Sequence, residues 1–346
     1  MVNLTRRIIL ASAACILMAS QVDFAHASSK KVTTKKVQVT SQKIVKKSSV
    51  KKSSVKSSKL SKKVVLKGKL KSKKVLAANL VERPSVGDKA GLKHSPDPLA
   101  LKSNAALVID QSNSEVLFDK NSNIALPIAS ITKLMTSLVV VEAKQDLNEM
   151  LEITDEDLDR EKGTGSRLAI GSKLSRADLL HIALMSSENR AASALGRNYP
   201  GGLSAFVAAM NAKARSLGMS DTQYVDSSGL SSKNVASARD LAKLINEAYK
   251  HPVIREYSTD THYVVQANGH RAMEYSTTNQ LVKDSAWNIG LQKTGYIAEA
   301  GRCLVMYAVI GGRNVVMVFL DSKGKYSRLA DAGRIKKWIQ ASLPSL

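Results

Sequence analysis

Two residues near the middle of the sequence have the types and the spacing that covalent catalysis by a serine requires. They are Ser130 and Lys133, in the run ALPIASITK. We expect this run to change from an apolar lead-in into a helix, where residues three apart lie on the same face and the Lys amine reaches the Ser hydroxyl. A free serine hydroxyl is a weak nucleophile, and a neighbouring neutral amine can activate it. Alone, such a pair arises by chance in most long chains.

Two further short groups follow it in the sequence. They are the Ser-Glu-Asn run 187–189, predicted at the end of a central helix, and the Lys-Thr-Gly run 293–295, predicted at the end of a strand. Each is common when it occurs alone. The three groups together, in this order and in these structural contexts, form the set found in serine β-lactamases and penicillin-binding proteins. The set therefore predicts acyl transfer through Ser130.

The elements that must position these groups follow from hydrophobic periodicity and turn residues. Two strands come first, helices fill the middle, and strands with a final helix end the chain, which predicts an α/β fold with a sheet built from both chain ends. Short hairpin connections make that sheet antiparallel, with the helical middle against it. The predicted strands are 105–110, 115–119, 263–266, 288–293, 302–310 and 314–321. The predicted helices are 130–144, 175–187, 203–217, 237–249 and 327–342, and 151–171 is mostly loop.

The first 27 residues are typical of an export signal. Arg6 and Arg7 form a basic start, 8–20 is an apolar run too short to span a membrane, and Ala-His-Ala at 25–27 is a cleavage site. Cys15 raises the alternative of a lipoprotein, which Ser12, in place of the usual Leu, disfavours. We expect the mature protein outside the cytoplasm.

The net charge of +23 is concentrated in one segment. Residues 28–78 contain eighteen Lys and no Asp or Glu, with repeats such as KKSSV, and dense like charges with little apolar surface predict disorder. Export and the lack of interleaved aromatic residues argue against nucleic acid as a partner. This leaves a solvated spacer or loose electrostatic attachment to membrane or wall. A Pro- and Gly-bearing connector reaches residue 98, and the folded domain is predicted at 99–346.

No metal or cofactor is expected. The acidic cluster at 155–161 lacks the Gly-centred ligand spacing of a calcium loop and is better interpreted as a solvated surface. Cys303, the one cysteine left after signal cleavage, has apolar neighbours and is predicted to be a buried, inert thiol.

From about Val81 to its end, the chain resembles the low-molecular-mass penicillin-binding proteins, and among them the D-alanyl-D-alanine endopeptidases. The runs that carry the resemblance are ALPIASITKLMTSLV, GTGSRLAIGSKLSRADLLHIALMSSENRAA, NAKARSLGMSDTQYVDSSGL and LQKTGYIAEAGRCLVM. It implies a β-lactamase/transpeptidase-like fold and a periplasmic location. It also implies peptidoglycan stem peptides as substrate, with hydrolysis of D-Ala–diaminopimelate cross-links, and β-lactam antibiotics as inhibitors.

The resemblance also implies roles for the motif residues. Ser130 attacks the D-Ala carbonyl and becomes acylated, while Lys133 takes its proton and must be uncharged. Burial and a second cation, Lys293, would lower the Lys133 pKa. Lys293 and Thr294 recognise the substrate's carboxylate. The oxyanion needs two donors, which are the backbone N–H groups of Ser130, at a helix N-terminus, and Tyr296.

The remaining motif residues complete this expected site. Ser187 relays the proton to the leaving amine, and Asn189 holds the substrate's backbone amide. Gly295 has no side chain, so the substrate backbone can approach the strand edge closely. Glu188 is a non-reacting position for which we expect a structural role.

Three alternative functions remain open. A β-lactamase of the commonest type uses an extra Glu followed two residues later by Leu-Asn, and the Glu residues between 149 and 161 lack that pattern, so slow deacylation of penicillin is expected. A D,D-carboxypeptidase usually has a second β domain and a C-terminal anchor, for which a chain ending at Leu346 leaves no room. A non-catalytic wall-binding protein is disfavoured because every motif residue is present.

Overall fold

The computed structural model of the protein describes residues 83–269 and 271–342, so the predicted export signal and the Lys-rich segment lie outside the described residues. The strands β1–β11 are Ser103–Asp110, Glu115–Lys120, Leu126–Pro127, Met150–Glu152, Lys173–Ser175, Val235–Ala236, His262–Val265, Met273–Ser276, Asn288–Ile297, Gly301–Ile310 and Arg313–Ser322. The helices α1–α8 are Val86–Lys89, Thr132–Glu142, Arg176–Met185, Asn189–Arg197, Gly202–Ser216, Ala238–Tyr249, Pro252–Thr259 and Ser327–Ala341. No helix in this described part is long and apolar enough to cross a membrane.

A five-stranded antiparallel sheet is built from strands near the start and near the end of the described chain. Its order is β2-β1-β11-β10-β9, so the first two strands pair beside the last. A two-residue turn joins β10 to β11, and both of its glycines, Gly311 and Gly312, have positive φ (56° and 79°). Such turns match the twist of the flanking strands. The predicted sheet from both chain ends and its antiparallel pairing are confirmed.

Alternate residues of the central strands pack into two separate cores. On β1, Ala105 and Leu107 face the core shared with the helical middle, including α6, and Ala106 and Val108 face the core shared with α8. This follows from the period-2 alternation of side chains along a strand. The result is three layers, with α8 on one face of the sheet and the helical middle on the other.

Three predicted elements differ from those observed. The strand predicted at 263–266 does not join the main sheet, because β7 pairs with β8 in a separate two-stranded sheet. The strand predicted to end at Lys293 continues to Ile297, since Lys293 and Gly295 remain paired with Val305 and Cys303 of β10. The Lys-Thr-Gly run therefore lies inside edge strand β9. Helix α2 begins only at Thr132, after a 3₁₀ turn at Ala129–Ile131, and α4 and α7 were not predicted.

The segment before β1, predicted as an extended connector, contains the short helix α1 and packs on the domain. Ser85 Oγ donates a 2.6 Å hydrogen bond to Asp321 Oδ2 at the end of β11, and Lys120 forms a buried 3.0 Å ion pair with Asp97. These long-range partners fix a Pro- and Gly-bearing segment whose local sequence favours no regular structure. The chain is therefore packed from Ser85 onward, ahead of the predicted boundary at Leu99.

Candidate active site

Ser130 lies in a tight turn that two glycines allow. Ala129 has a positive φ of 48°, uncommon for a residue with a side chain, and the 3₁₀ turn leads directly into α2. A β-carbon on Gly295 of β9 would lie 2.9 Å from the Ile128 oxygen, and one on Gly229 would lie 2.0 Å from the Ala129 oxygen. The turn is therefore held between β9 and the loop around Gly229. This gives Gly295 a packing role that the sequence did not predict.

Lys133 is fully buried, and its amine has three partners. Lys133 Nζ lies 2.9 Å from Ser130 Oγ, 2.8 Å from Asn189 Oδ1 and 2.7 Å from the Ser228 carbonyl oxygen. The last two atoms can only accept hydrogen bonds, so they take two of the amine's hydrogens. In the neutral amine the lone pair is then directed at Ser130 Oγ. This arrangement can take the proton of the serine hydroxyl.

The surroundings of Lys133 make this neutral form more accessible near neutral pH than it is for a solvent-exposed lysine. Burial lowers the Lys133 pKa to about 8, while the negative charges of Asp226 and Glu188 act in the opposite direction. A general base works best when its pKa lies near the working pH.

Lys293 is equally buried, next to the Ser-Glu-Asn run. Its Nζ lies 3.0 Å from Ser187 Oγ and 2.9 Å from the Thr294 carbonyl oxygen. Burial, followed by the charges of Lys133 and Arg328, lowers the Lys293 pKa well below its usual range. We expected Lys293 to lower the pKa of Lys133. Burial, the other predicted cause, does lower the Lys133 pKa, but the charge of Lys293 is not among the causes of that shift. For Lys293, burial is the larger cause and the charge of Lys133 the second. Arg328, from α8, was not predicted near the site.

The Ser-Glu-Asn run connects α3 to α4 rather than ending one helix. Ser187 has a positive φ of 66°, a strained conformation of the kind that clusters at functional sites. Glu188 caps α4 by accepting a 3.2 Å hydrogen bond from the Arg190 N–H, and it accepts a second one, at 3.5 Å, from the Tyr275 hydroxyl. These contacts match the structural role predicted for Glu188, and its charge also acts on Lys133.

Asn189 is engaged at both ends of its side-chain amide. Its Oδ1 accepts from Lys133, and its Nδ2 donates to Thr164 Oγ1 at 2.9 Å. A substrate amide at Asn189, as the sequence predicts, would have to compete with Thr164 for Nδ2. Thr164 itself is held by Asp159, which belongs to the acidic cluster and accepts from the Thr164 N–H at 2.8 Å.

The edge strand β9 forms the opposite side of the site. Thr294 Oγ1 and Thr278 Oγ1 lie 2.6 Å apart, and the β-carbon position of Gly295 is 3.1 Å from the Ser130 backbone nitrogen. The exposed ring of Tyr296 lies against the Arg302 guanidinium, 4.3 Å from ring centroid to Cζ. The backbone of Gly295, the residue before Tyr296, therefore lies close to the Ser130 N–H.

Two further residues that the sequence analysis considered, Cys303 and Asp157, take no part in these contacts, and Asp157 is buried rather than part of a solvated surface. Cys303 is buried, and burial raises its thiol pKa to about 12, which makes it inert as a nucleophile. Asp157 of the acidic cluster pairs with Arg197 at 2.8 Å. Within residues 83–269 and 271–342, no group of three or more His, Cys, Asp or Glu is placed to hold a metal ion.

Sequence reasoning missed the loop that carries Ser228. Asp226 Oδ1 accepts the backbone N–H groups of Ser228 at 2.6 Å and Gly229 at 2.5 Å. This loop supplies the carbonyl that orients Lys133. Its run, DSSGL, has the Asx-turn composition of a structured loop, but composition alone does not indicate which side chain the carbonyl meets.

Comparisons with known proteins show the family of the chain. The sequence profile of the peptidase S11 family, described as D-alanyl-D-alanine carboxypeptidase, matches residues 92–324. The chain is 46% identical to a D-alanyl-D-alanine endopeptidase of Pseudomonas aeruginosa, over 73% of this chain and 81% of that protein. It is 43% identical to a D-alanyl-D-alanine endopeptidase of Escherichia coli, over 69% of this chain and 78% of that protein.

A solved structure with a bound antibiotic has the same fold. It is penicillin-binding protein D2 of Listeria monocytogenes in its ampicillin-bound form, with a TM-score of 0.60 and 30% identity over 68% of this chain and 96% of that one. The β-lactamase/transpeptidase-like fold expected from the sequence is confirmed.

Proposed function

Because this chain belongs to the peptidase S11 family of D-alanyl-D-alanine peptidases, we propose that it is a serine D,D-endopeptidase acting through an acyl-enzyme on Ser130. Its substrates are the D-Ala–diaminopimelate cross-links of peptidoglycan. The observation that carries the proposal is the 2.9 Å contact between a buried Lys133 amine and Ser130 Oγ. The similarity to two proteins named endopeptidases supports the choice of cross-links.

In the first half of the reaction, Ser130 Oγ attacks the D-Ala carbonyl carbon, and the proton of the Ser130 hydroxyl passes to Lys133 Nζ. The oxyanion accepts hydrogen bonds from the backbone N–H groups of Ser130 and Tyr296. The carbon–nitrogen bond then breaks, and the proton held by Lys133 passes through the Ser187 hydroxyl, which lies 3.0 Å from Lys293 Nζ, to the leaving amine, so that Lys133 is neutral again before water attacks. Water repeats the sequence on the acyl-enzyme and releases the D-Ala carboxylate.

The substrate is held by groups on both sides of Ser130. The carboxylate on the leaving residue lies against Lys293 and Thr294, and the acyl side runs along edge strand β9. Gly295 keeps the strand edge open, and Asn189 binds a backbone amide of the substrate. No cofactor or metal takes part in any of these steps.

Penicillin would follow the same first steps, but its leaving amine stays tethered to the acyl group. The ampicillin-bound neighbour supports β-lactams as ligands of this site. With no extra Glu followed two residues later by Leu-Asn to activate water, we expect the penicilloyl adduct to persist and to inhibit the enzyme.

The carboxypeptidase alternative is favoured by one observation, the description of the matching family. Digestion of purified cross-linked muropeptide dimers and of pentapeptide monomers separates the two activities. Conversion of dimers to monomers is expected. Release of free D-Ala from pentapeptides with dimers left intact would contradict the endopeptidase proposal.

Outside the described residues, we propose that 1–27 direct export to the periplasm and that 28–78 attach the enzyme loosely to anionic wall or membrane. Deleting 28–78 should weaken sedimentation with cell walls in low salt, because eighteen Lys are removed, and should leave turnover of small muropeptides unchanged. Lost turnover would show that the segment has more than an accessory role.

A further inference from the structure

A cavity of about 540 Å³ opens directly beside the proposed catalytic groups. It begins at Ser187, Asn189 and Thr278, and it extends between the loop at 165–167 and strand β8 at Tyr275 and Ser276. The acyl-transfer step itself uses only the inner end of this space. The rest of the cavity leads away from the reacting groups and leaves room for a chain that continues beyond the bond to be cut.

The position of the cavity assigns it to the leaving group. Ser187 is the proposed proton donor to the leaving amine, and Thr278 lies 2.6 Å from Thr294, which is proposed to bind the carboxylate of the leaving residue. A peptide chain that continues beyond the leaving residue must therefore pass Ser187 and Thr278. The cavity begins at these two residues. A carboxypeptidase releases a single D-Ala and needs no such space, whereas a cross-link releases an entire stem peptide.

Two charged side chains line the cavity, and their exposure differs. Glu188 is buried and caps α4, while Arg167 is exposed. The Arg167 guanidinium lies 4.9 Å from the centroid of the Tyr275 ring and donates to the Glu274 carbonyl oxygen. These contacts hold the planar cation at the wall of the cavity. A guanidinium has five N–H groups, so others remain to bind a ligand.

We propose that this cavity binds the leaving stem peptide of a cross-link, and that Arg167 pairs with one of its carboxylates. The inference rests on the proposed endopeptidase function. The leaving stem peptide ends in a free carboxylate of its own, so it carries negative charge beyond the carboxylate that Lys293 and Thr294 take. Arg167 is thus a residue that determines specificity for cross-linked over monomeric substrate.

The test measures kcat/KM of Arg167→Gln for muropeptide dimers, together with its rate of acylation by penicillin. An exposed charge pair contributes little, so dimer cleavage should fall about three- to tenfold, through KM. Acylation by penicillin, which has no leaving stem, should not change. The matched control is Arg255→Gln, because Arg255 also stacks on a tyrosine, Tyr249 at 5.1 Å, and donates to a backbone carbonyl, but lines no part of this cavity.

A second measurement ties the effect to charge. Converting the free carboxylates of the dimers to amides should slow the wild-type enzyme by a larger factor than it slows Arg167→Gln, the signature of an interacting pair. Equal factors for the two enzymes, or an equal loss in Arg255→Gln, would overturn the role of Arg167. Failure of the wild-type enzyme to cleave dimers would instead contradict the proposed function.

Discussion

The carbonyl oxygen of Ser228 accepts a 2.7 Å hydrogen bond from Lys133 Nζ, although the two residues are 95 positions apart in the sequence. This carbonyl and Asn189 Oδ1 accept the two hydrogens of the neutral amine. The lone pair of the amine is therefore directed at Ser130. The geometry of the proposed base thus depends on a loop, and Asp226 orders that loop by accepting from its backbone N–H groups.

Asp226→Ala should therefore slow acylation by penicillin about 10- to 100-fold, because small displacements of a catalytic group have effects of that size. The measurement is the second-order acylation rate at pH 10, where Lys133 is neutral in both enzymes and the loss of the Asp226 charge has no effect on the base, with circular dichroism to verify the fold. The matched control is Asp284→Ala, which removes an exposed Asp that accepts from the Ala286 N–H in a turn away from the site. Equal rates for the wild type and Asp226→Ala would contradict the role of the loop.

Fluorescent penicillin followed by peptide mapping should place the adduct on Ser130. Ser130→Ala should abolish labelling. Lys133→Met should reduce the acylation rate by about 10⁴-fold or more, because removing one residue of a catalytic unit costs about as much as removing the whole unit. Cys303 should carry no adduct, since its thiol is buried and its pKa is raised to about 12. An adduct on any residue other than Ser130 would refute the assignment of the nucleophile.

The acylation rate should rise with pH, with a midpoint near 8, because only neutral Lys133 can take the proton and burial lowers its pKa to about 8. Glu188→Gln should move this midpoint to lower pH. It removes a negative charge that stabilises the ammonium, and the new amide oxygen can still cap α4. Rates measured from pH 6 to 10 test this shift.

The control for the pH profile is Glu152→Gln, which removes a surface carboxylate paired with Lys173 at 3.2 Å. Its midpoint should equal that of the wild type. A midpoint in Glu188→Gln that stays in place or moves to higher pH would show that Glu188 does not act on the base.

Gly295→Ala should slow acylation about 100-fold, because its β-carbon would lie 2.9 Å from the Ile128 oxygen and 3.1 Å from the Ser130 nitrogen, and the turn or the strand must move. Gly333→Ala is the control, since a β-carbon there meets nothing within 4 Å and Ala favours helix α8. Its rate should match the wild type, with equal or higher thermal stability. Unchanged acylation in Gly295→Ala would mean that the turn tolerates the displacement.

Much of the fold was predictable because local patterns determine it. Short, continuous apolar runs indicated β1, β10 and β11, and Ser175 and Ser237 indicated helix starts, where each accepts the backbone N–H three residues later. The extension of β9 past Lys293 was not predictable locally, since pairing with β10 maintains it. The pairing of β7 with β8 likewise depends on a partner strand that the sequence did not indicate.

By itself, the sequence determined the fold class and the candidate reacting groups with their order, because residue type sets chemical reactivity and short-range periodicity sets secondary structure. The tertiary structure alone decided what surrounds them. It placed the Ser228 carbonyl on the Lys133 amine, packed Gly295 and Gly229 on the Ser130 turn, and put Arg167 at the wall of a cavity. These relationships join segments far apart in the chain, and only packing in three dimensions determines which of them meet.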